Sequence, residues 1–176
     1  IAMAGGASDT QIFSATTGAY SGALDVTGGT LSVTTAASLG NDTGATAAST
    51  GTLDLSGLAL ASTEAINLSG VGASGAGALT ASVTSSIAAT NVVTLVDDAS
   101  IGGAGDLTIS GALGDGGGAK SLTKVGAGTL LLSVASTYTG TTAINGGILQ
   151  AGVADAIGTS SAVGLGGSGT FDMNGT

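Results

Sequence analysis

Gly51-Thr52-Leu53-Asp54-Leu55-Ser56-Gly57 returns, conservatively altered, as Gly169-Thr170-Phe171-Asp172-Met173-Asn174-Gly175. The echo extends backwards from both copies. Leu39-Gly40 matches Ile157-Gly158, Val26-Thr27-Gly28-Gly29 matches Ile144-Asn145-Gly146-Gly147, and Tyr20-Ser21-Gly22 matches Tyr138-Thr139-Gly140, always 118 residues apart. A constant offset without insertions means that each block is the same physical object, a run of stacked units whose lengths are set by geometry. Residues 118 apart are therefore expected at equivalent places in their coils.

Within the blocks, short apolar-polar-apolar triplets recur: Leu24-Asp25-Val26, Leu31-Ser32-Val33, Leu53-Asp54-Leu55, Ile66-Asn67-Leu68, Val93-Thr94-Leu95, Leu107-Thr108-Ile109 and Val163-Gly164-Leu165. Period two marks a strand with one buried face. Clusters of Gly, Ser, Thr, Asn and Asp lie between them and supply the backbone angles of turns. No 3.6-residue periodicity is sustained, so the reading is all-β. Strands this short bury little as an open sandwich, whereas stacked coils of roughly 20 residues, spaced about 4.8 Å apart, turn them into long ladders; the expected fold is a parallel β-helix. The absence of proline fits, because each internal proline would remove a ladder donor.

Composition narrows the function. Leu, Ile, Val and Phe make up 40 of 176 residues, and they are grouped rather than scattered, which favours order over a disordered Gly/Ser/Thr-rich chain. Eleven acids against Lys120 and Lys124 give a formal charge of −9, too few cations for nucleic-acid or anionic-membrane binding. No apolar run is long enough to cross a bilayer. Without cysteine there is no disulfide framework. The second copy stops at Thr176, in the middle of what the first continues as Leu58 onward, so residues 1–176 are expected to be one solenoid segment of a longer repeat array, with 20–57 and 138–175 as its loose internal repeat.

The residues with chemical potential are few. Asp97-Asp98 is the only adjacent acid pair, and adjacent strand residues point to opposite faces, so they read as solvated turn residues rather than a glycosidase pair. The chain has no Arg or His to complete a lyase or hydrolase site. Gly102-Gly103-Ala104-Gly105-Asp106 is similar to the calcium-binding nonapeptide, with the Asp one position early and no second copy; Asp97, Asp98, Asp106 and Asp115 are weak calcium candidates whose other reading is turn capping. Lys120 and Lys124 read as surface charges in local ion pairs, the alternative being lateral association with the acids of another rod. Tyr20 and Tyr138 hold equivalent repeat positions, which favours corner packing over glycan stacking. The threonines are too irregularly spaced for a crystal-binding face and reflect β propensity.

From Asp106 to Gly152 the sequence resembles a known family. Leu122-Thr123-Lys124-Val125-Gly126-Ala127-Gly128-Thr129-Leu130-Leu131-Leu132-Ser133, Thr137-Tyr138-Thr139-Gly140 and Ile144-Asn145-Gly146-Gly147-Ile148-Leu149-Gln150 closely resemble, in order and spacing, the autotransporter-associated β-strand repeat. The best match is 106–152, and its motif residues here are Lys124, Gly126, Gly128, Thr129, Leu130, Tyr138, Gly140, Asn145 and Gly147. The first copy has Ser8-Asp9-Thr10-Gln11-Ile12-Phe13 where the motif has Lys-x-Gly-x-Gly-Thr-Leu. The resemblance implies a right-handed β-helix outside the bacterial cell, non-enzymatic, serving as stalk, adhesin or biofilm-matrix component. Its implied partners are further copies, stacked end to end into a filament or laterally, or a host or neighbouring cell surface. A carbohydrate-active β-helix enzyme and a calcium-stabilised module are the alternatives.

Overall fold

The computed structural model describes residues 2–3, 5–6, 8–13, 23–39, 45–61, 63–158 and 162–174. Tyr20, Ser21, Gly22, Gly40 and Gly175 of the sequence echo lie outside them. Among the described residues every strand pairing is parallel. The only helical pieces among them are two short 3₁₀ turns, Ala36–Leu39 and Ala73–Gly75. The expected all-β parallel solenoid is the fold.

Three faces carry the ladders. On the first, Val26, Ala48, Leu68 and Leu95 stack one coil above the next. The second runs through Leu31, Leu53, Leu79, Ile101, Lys124, Ile144 and Leu165. A third ladder joins Leu60, Ile87, Ile109, Leu132 and Ala151. These rows are buried except at Leu165, which is 64% exposed. They converge on one continuous core, and period two in the sequence explains it, since the residues between them face outward. The strand Val92–Gly102 crosses from the first face to the second, with a register shift between Leu95 and Ala99, and so fuses the first two ladders into one sheet.

The coil lengths correct one expectation. From Leu31, the second-face ladder reaches Ile144 after five steps and 113 residues, whereas the sequence partner of Leu31 is Leu149, 118 residues on. Leu149 therefore sits on the third face, between Leu130 and Phe171. Likewise Leu24–Val26 lies on the first face and its counterpart Thr142–Ile144 on the second. Local conformation nevertheless repeats closely. Gly29 and Gly147 have φ of 64° and 63°, Ser56 and Asn174 both have 46°, and Asp54 and Asp172 each accept the N–H of the residue two ahead. The repeated object is a strand-corner-strand unit, and the same unit turns two different corners of the solenoid.

Candidate functional site

The family-like motif occupies the corner between Leu122–Lys124 and Thr129–Leu132 and the coil above it. Leu122-Thr123-Lys124 alternates like any strand, so Lys124 falls on the inward face, between Ile101 below and Ile144 above. It is 2% exposed. Its Nζ donates to the carbonyl oxygens of Val125 at 2.7 Å, Gly126 at 3.2 Å and Gly146 at 3.2 Å. One ammonium thus satisfies carbonyls of its own corner and of the next coil, groups that would cost about 1–3 kcal/mol each if buried without a partner. Burial lowers its pKa from 10.5 to about 8, while the Asp106 carboxylate pulls it back up. The surface reading of Lys124 is corrected, since the corner takes its three donors and leaves none for another rod.

The glycines follow from the same corner. Gly126 has φ of 72°, and a Cβ there would lie 2.5 Å from Gly103 O; a Cβ on Gly128 would lie 2.1 Å from Gly105 O. Consecutive corners touch backbone to backbone, which only glycine permits. Gly146 and Gly147 continue the two columns one coil further, close above Gly126 and Gly128. Gly140 is held to glycine by the Lys120 carbonyl, whose oxygen would lie 2.3 Å from a Cβ at that position. Asn145 is exposed on the corner and donates its backbone N–H to Lys124 O at 2.9 Å. Leu130 is buried between Leu107 and Leu149. Tyr138 is wholly buried, with its hydroxyl 2.7 Å from Thr142 Oγ1, in accord with a packing role; Tyr20 lies outside the described residues.

The aspartates act as clips between coils. Asp98 accepts Ser121 N–H at 2.8 Å, Asp106 accepts Thr129 N–H at 2.8 Å, and Asp115 accepts Thr139 N–H and its hydroxyl, both at 2.8 Å. Each donor is 23 or 24 residues ahead, one coil up. These bonds hold the Asp115 carboxyl far below the usual carboxylate range. Asp97 instead pairs with Lys120 at 3.0 Å on the surface, which lowers its pKa. The structure does not gather Asp97, Asp98 and Asp106 around a common point, and among the described residues no three acids form a metal-holding group.

Sequence reasoning missed Asp54. Its triplet placed it outward, and outward it is, yet only 7% exposed, with Ser32, Thr80 and Ser82 of the neighbouring coils closed around its carboxylate; the coil from Leu53 to Leu79 is longer than that from Leu31 to Leu53, 26 residues against 22. The extra residues at 71–77 fold back over the face. Thr52 Oγ1 donates to Gly77 O at 2.7 Å and accepts Ala73 N–H at 2.9 Å, pinning them there. The uneven coil spacing was the available signal.

With this geometry in view, comparison with known proteins places the corners. Residues 8–33 and 122–151 match the family model of the passenger-associated-transport-repeat. These two segments resemble the passenger repeats of autotransporters. The first segment is matched although it lacks the Lys-x-Gly-x-Gly-Thr-Leu piece, and the two segments hold the two out-of-phase corners described above. The adhesin BmaC autotransporter of Brucella suis biovar 1 (strain 1330) is 44% identical to the chain over 66 residues, which is 34% of this chain and 2% of that protein. The match thus spans a small fraction of that relative. No solved structure matches the chain.

Proposed function

We propose that this chain is a non-enzymatic structural or adhesive segment of a β-solenoid displayed outside a bacterial cell, and that it continues into a longer rod through further coils. The carrying observation is where the motif residues spend their chemistry. Lys124, the paired glycines, Leu130 and Tyr138 are all consumed in contacts between coils. A repeat whose signature is internal serves to build length, leaving the outward rows to vary.

The second ladder finishes on an exposed apolar row, which supports stacking. Ile101, Lys124 and Ile144 are at most 2% exposed, whereas Leu165, next in the row, is 64% exposed; Met173 is 59% exposed. A groove lined by Val153, Ile157, Phe171 and Met173 lies at the same end. An exposed apolar row of this kind offers a second copy of the chain a surface on which to stack. The likeness to an adhesin that is far longer than the stretch it shares supports the same reading.

Two measurements test it. Small-angle scattering of the 176-residue chain should show a rod whose length grows with concentration at constant cross-section. A folded particle of fixed length at all concentrations would remove stacking and leave covalent continuation alone. Incubation with acidic and neutral polysaccharides should release no reducing ends or unsaturated products; turnover lost in Asp97→Ala or Asp98→Ala would overturn the non-enzymatic assignment.

A further inference from the structure

We propose that the hydroxyl-lined pocket over Asp54 binds a hard, oxygen-seeking cation that keeps part of its water shell. The first observation is a buried carboxylate with no cationic side chain beside it. Buried carboxylates are ordinarily paired with a cation or a metal. The sequence has only two cationic side chains. Lys120 is on Asp97 and Lys124 is on backbone carbonyls, so neither serves Asp54.

The second observation is how the neighbouring hydroxyls are polarised. Asp54 Oδ1 accepts Ser82 N–H at 2.8 Å, Thr80 Oγ1 at 3.3 Å and Ser56 N–H at 3.4 Å; Oδ2 accepts Ser82 Oγ at 2.8 Å and Ser32 Oγ at 3.2 Å. Three hydroxyl protons are thereby committed to the carboxylate. Of these, Thr80 and Ser82 line the pocket, and their oxygens keep their lone pairs for something electropositive. Oxygen-only ligands and one net negative charge suit a hard cation, and a single carboxylate suits one that stays partly hydrated.

The third observation is the space. Thr30, Asp54, Thr80 and Ser82 line a cavity of about 240 Å³, walled by Ala76 of the 71–77 insertion and by Ala104. That volume holds a cation with several waters. The site is particular to this place and is not a property of the repeat. At the matching position Asp172, only half-buried, accepts Gln150 Nε2 at 2.9 Å and Asn174 N–H at 2.8 Å. An insertion that departs from the repeat and shares a pocket with a buried acid is where a function separate from rod-building is expected.

The test is thermal unfolding of the full 176-residue chain, stripped with a chelator, at constant ionic strength in tetramethylammonium chloride against sodium, potassium, magnesium and calcium chlorides. At least one inorganic cation should raise the midpoint by about 3 °C or more at saturation. Asp54→Asn and Ser82→Ala should abolish that difference while keeping the β circular-dichroism signal, and Asp98→Ala should retain it. If Asp54→Asn does not fold, Ser82→Ala carries the comparison. Equal midpoints in all salts would overturn the proposal, as would a difference that survives in the folded Asp54 or Ser82 variant or vanishes in Asp98→Ala.

Discussion

Leu31 and Leu149 are sequence equivalents 118 residues apart, yet they lie on different faces of the solenoid, because five coils starting at Leu31 end at Ile144. The repeat therefore specifies a corner and its two flanking strands. The spacing between repeats decides which face each one serves.

This register is open to cross-linking, since the chain has no cysteine of its own. Thr123 and Ala143 are ladder partners on the second face, and Thr108 and Leu131 on the third, with side chains between the inward rows. Neighbouring parallel strands about 4.8 Å apart fall within disulfide reach. Double-cysteine variants of either pair should oxidise to an intramolecular disulfide, read by gel mobility. Thr108→Cys with Gln150→Cys, two coils apart, should not, and the opposite pattern would refute the ladders.

Glycine substitutions should divide sharply. Gly128→Ala puts a Cβ 2.1 Å from Gly105 O and should cost about 2 kcal/mol or more in chemical denaturation, because backbone of a stacked coil must move. Gly164→Ala meets nothing within 4 Å and should lie within about 0.5 kcal/mol of the parent. Equal effects would remove close corner stacking as the reason for the motif.

Acid should unclip Asp115 late. Its folded pKa lies below the ordinary value of 3.8, so the stability it contributes is present above about pH 4 and is lost as pH falls towards the folded value. Asp115→Asn should be less stable than the parent at pH 6, with the gap closing below pH 4. A gap that stays constant across that range in parallel denaturant titrations would show that the carboxylate charge is not what holds Thr139.

How much of this was legible beforehand depends on what alternation can say. Leu53-Asp54-Leu55 and Leu107-Thr108-Ile109 gave the strands and their inward faces, because period two is a local property. The face on which each strand lands is a running sum of coil lengths. Five coils from Leu31 come to 113 residues and not 118, which is why the constant offset misled about Leu149. Lys124 was legible in principle, as Leu122-Thr123-Lys124 puts it on the apolar side; charge alone had assigned it to the surface. Burial of Asp54 was not, because Ser32, Thr80 and Ser82, which close around its carboxylate, are remote from it along the chain.

The interior place of Lys124 is the claim on which the corner account rests, and it has a direct readout. With only two lysines, ¹⁵N-lysine labelling gives two side-chain amine resonances, assigned with Lys124→Met. The Lys124 amine should titrate at about 8, well below 10.5, with its protons slow to exchange. Between those values the unfolded chain holds a proton that the folded chain has released, so stability should rise with pH from about 8 to 10.5 in the parent and not in Lys124→Met. A Lys124 resonance that titrates near 10.5 with rapid exchange would contradict a lysine stacked between Ile101 and Ile144.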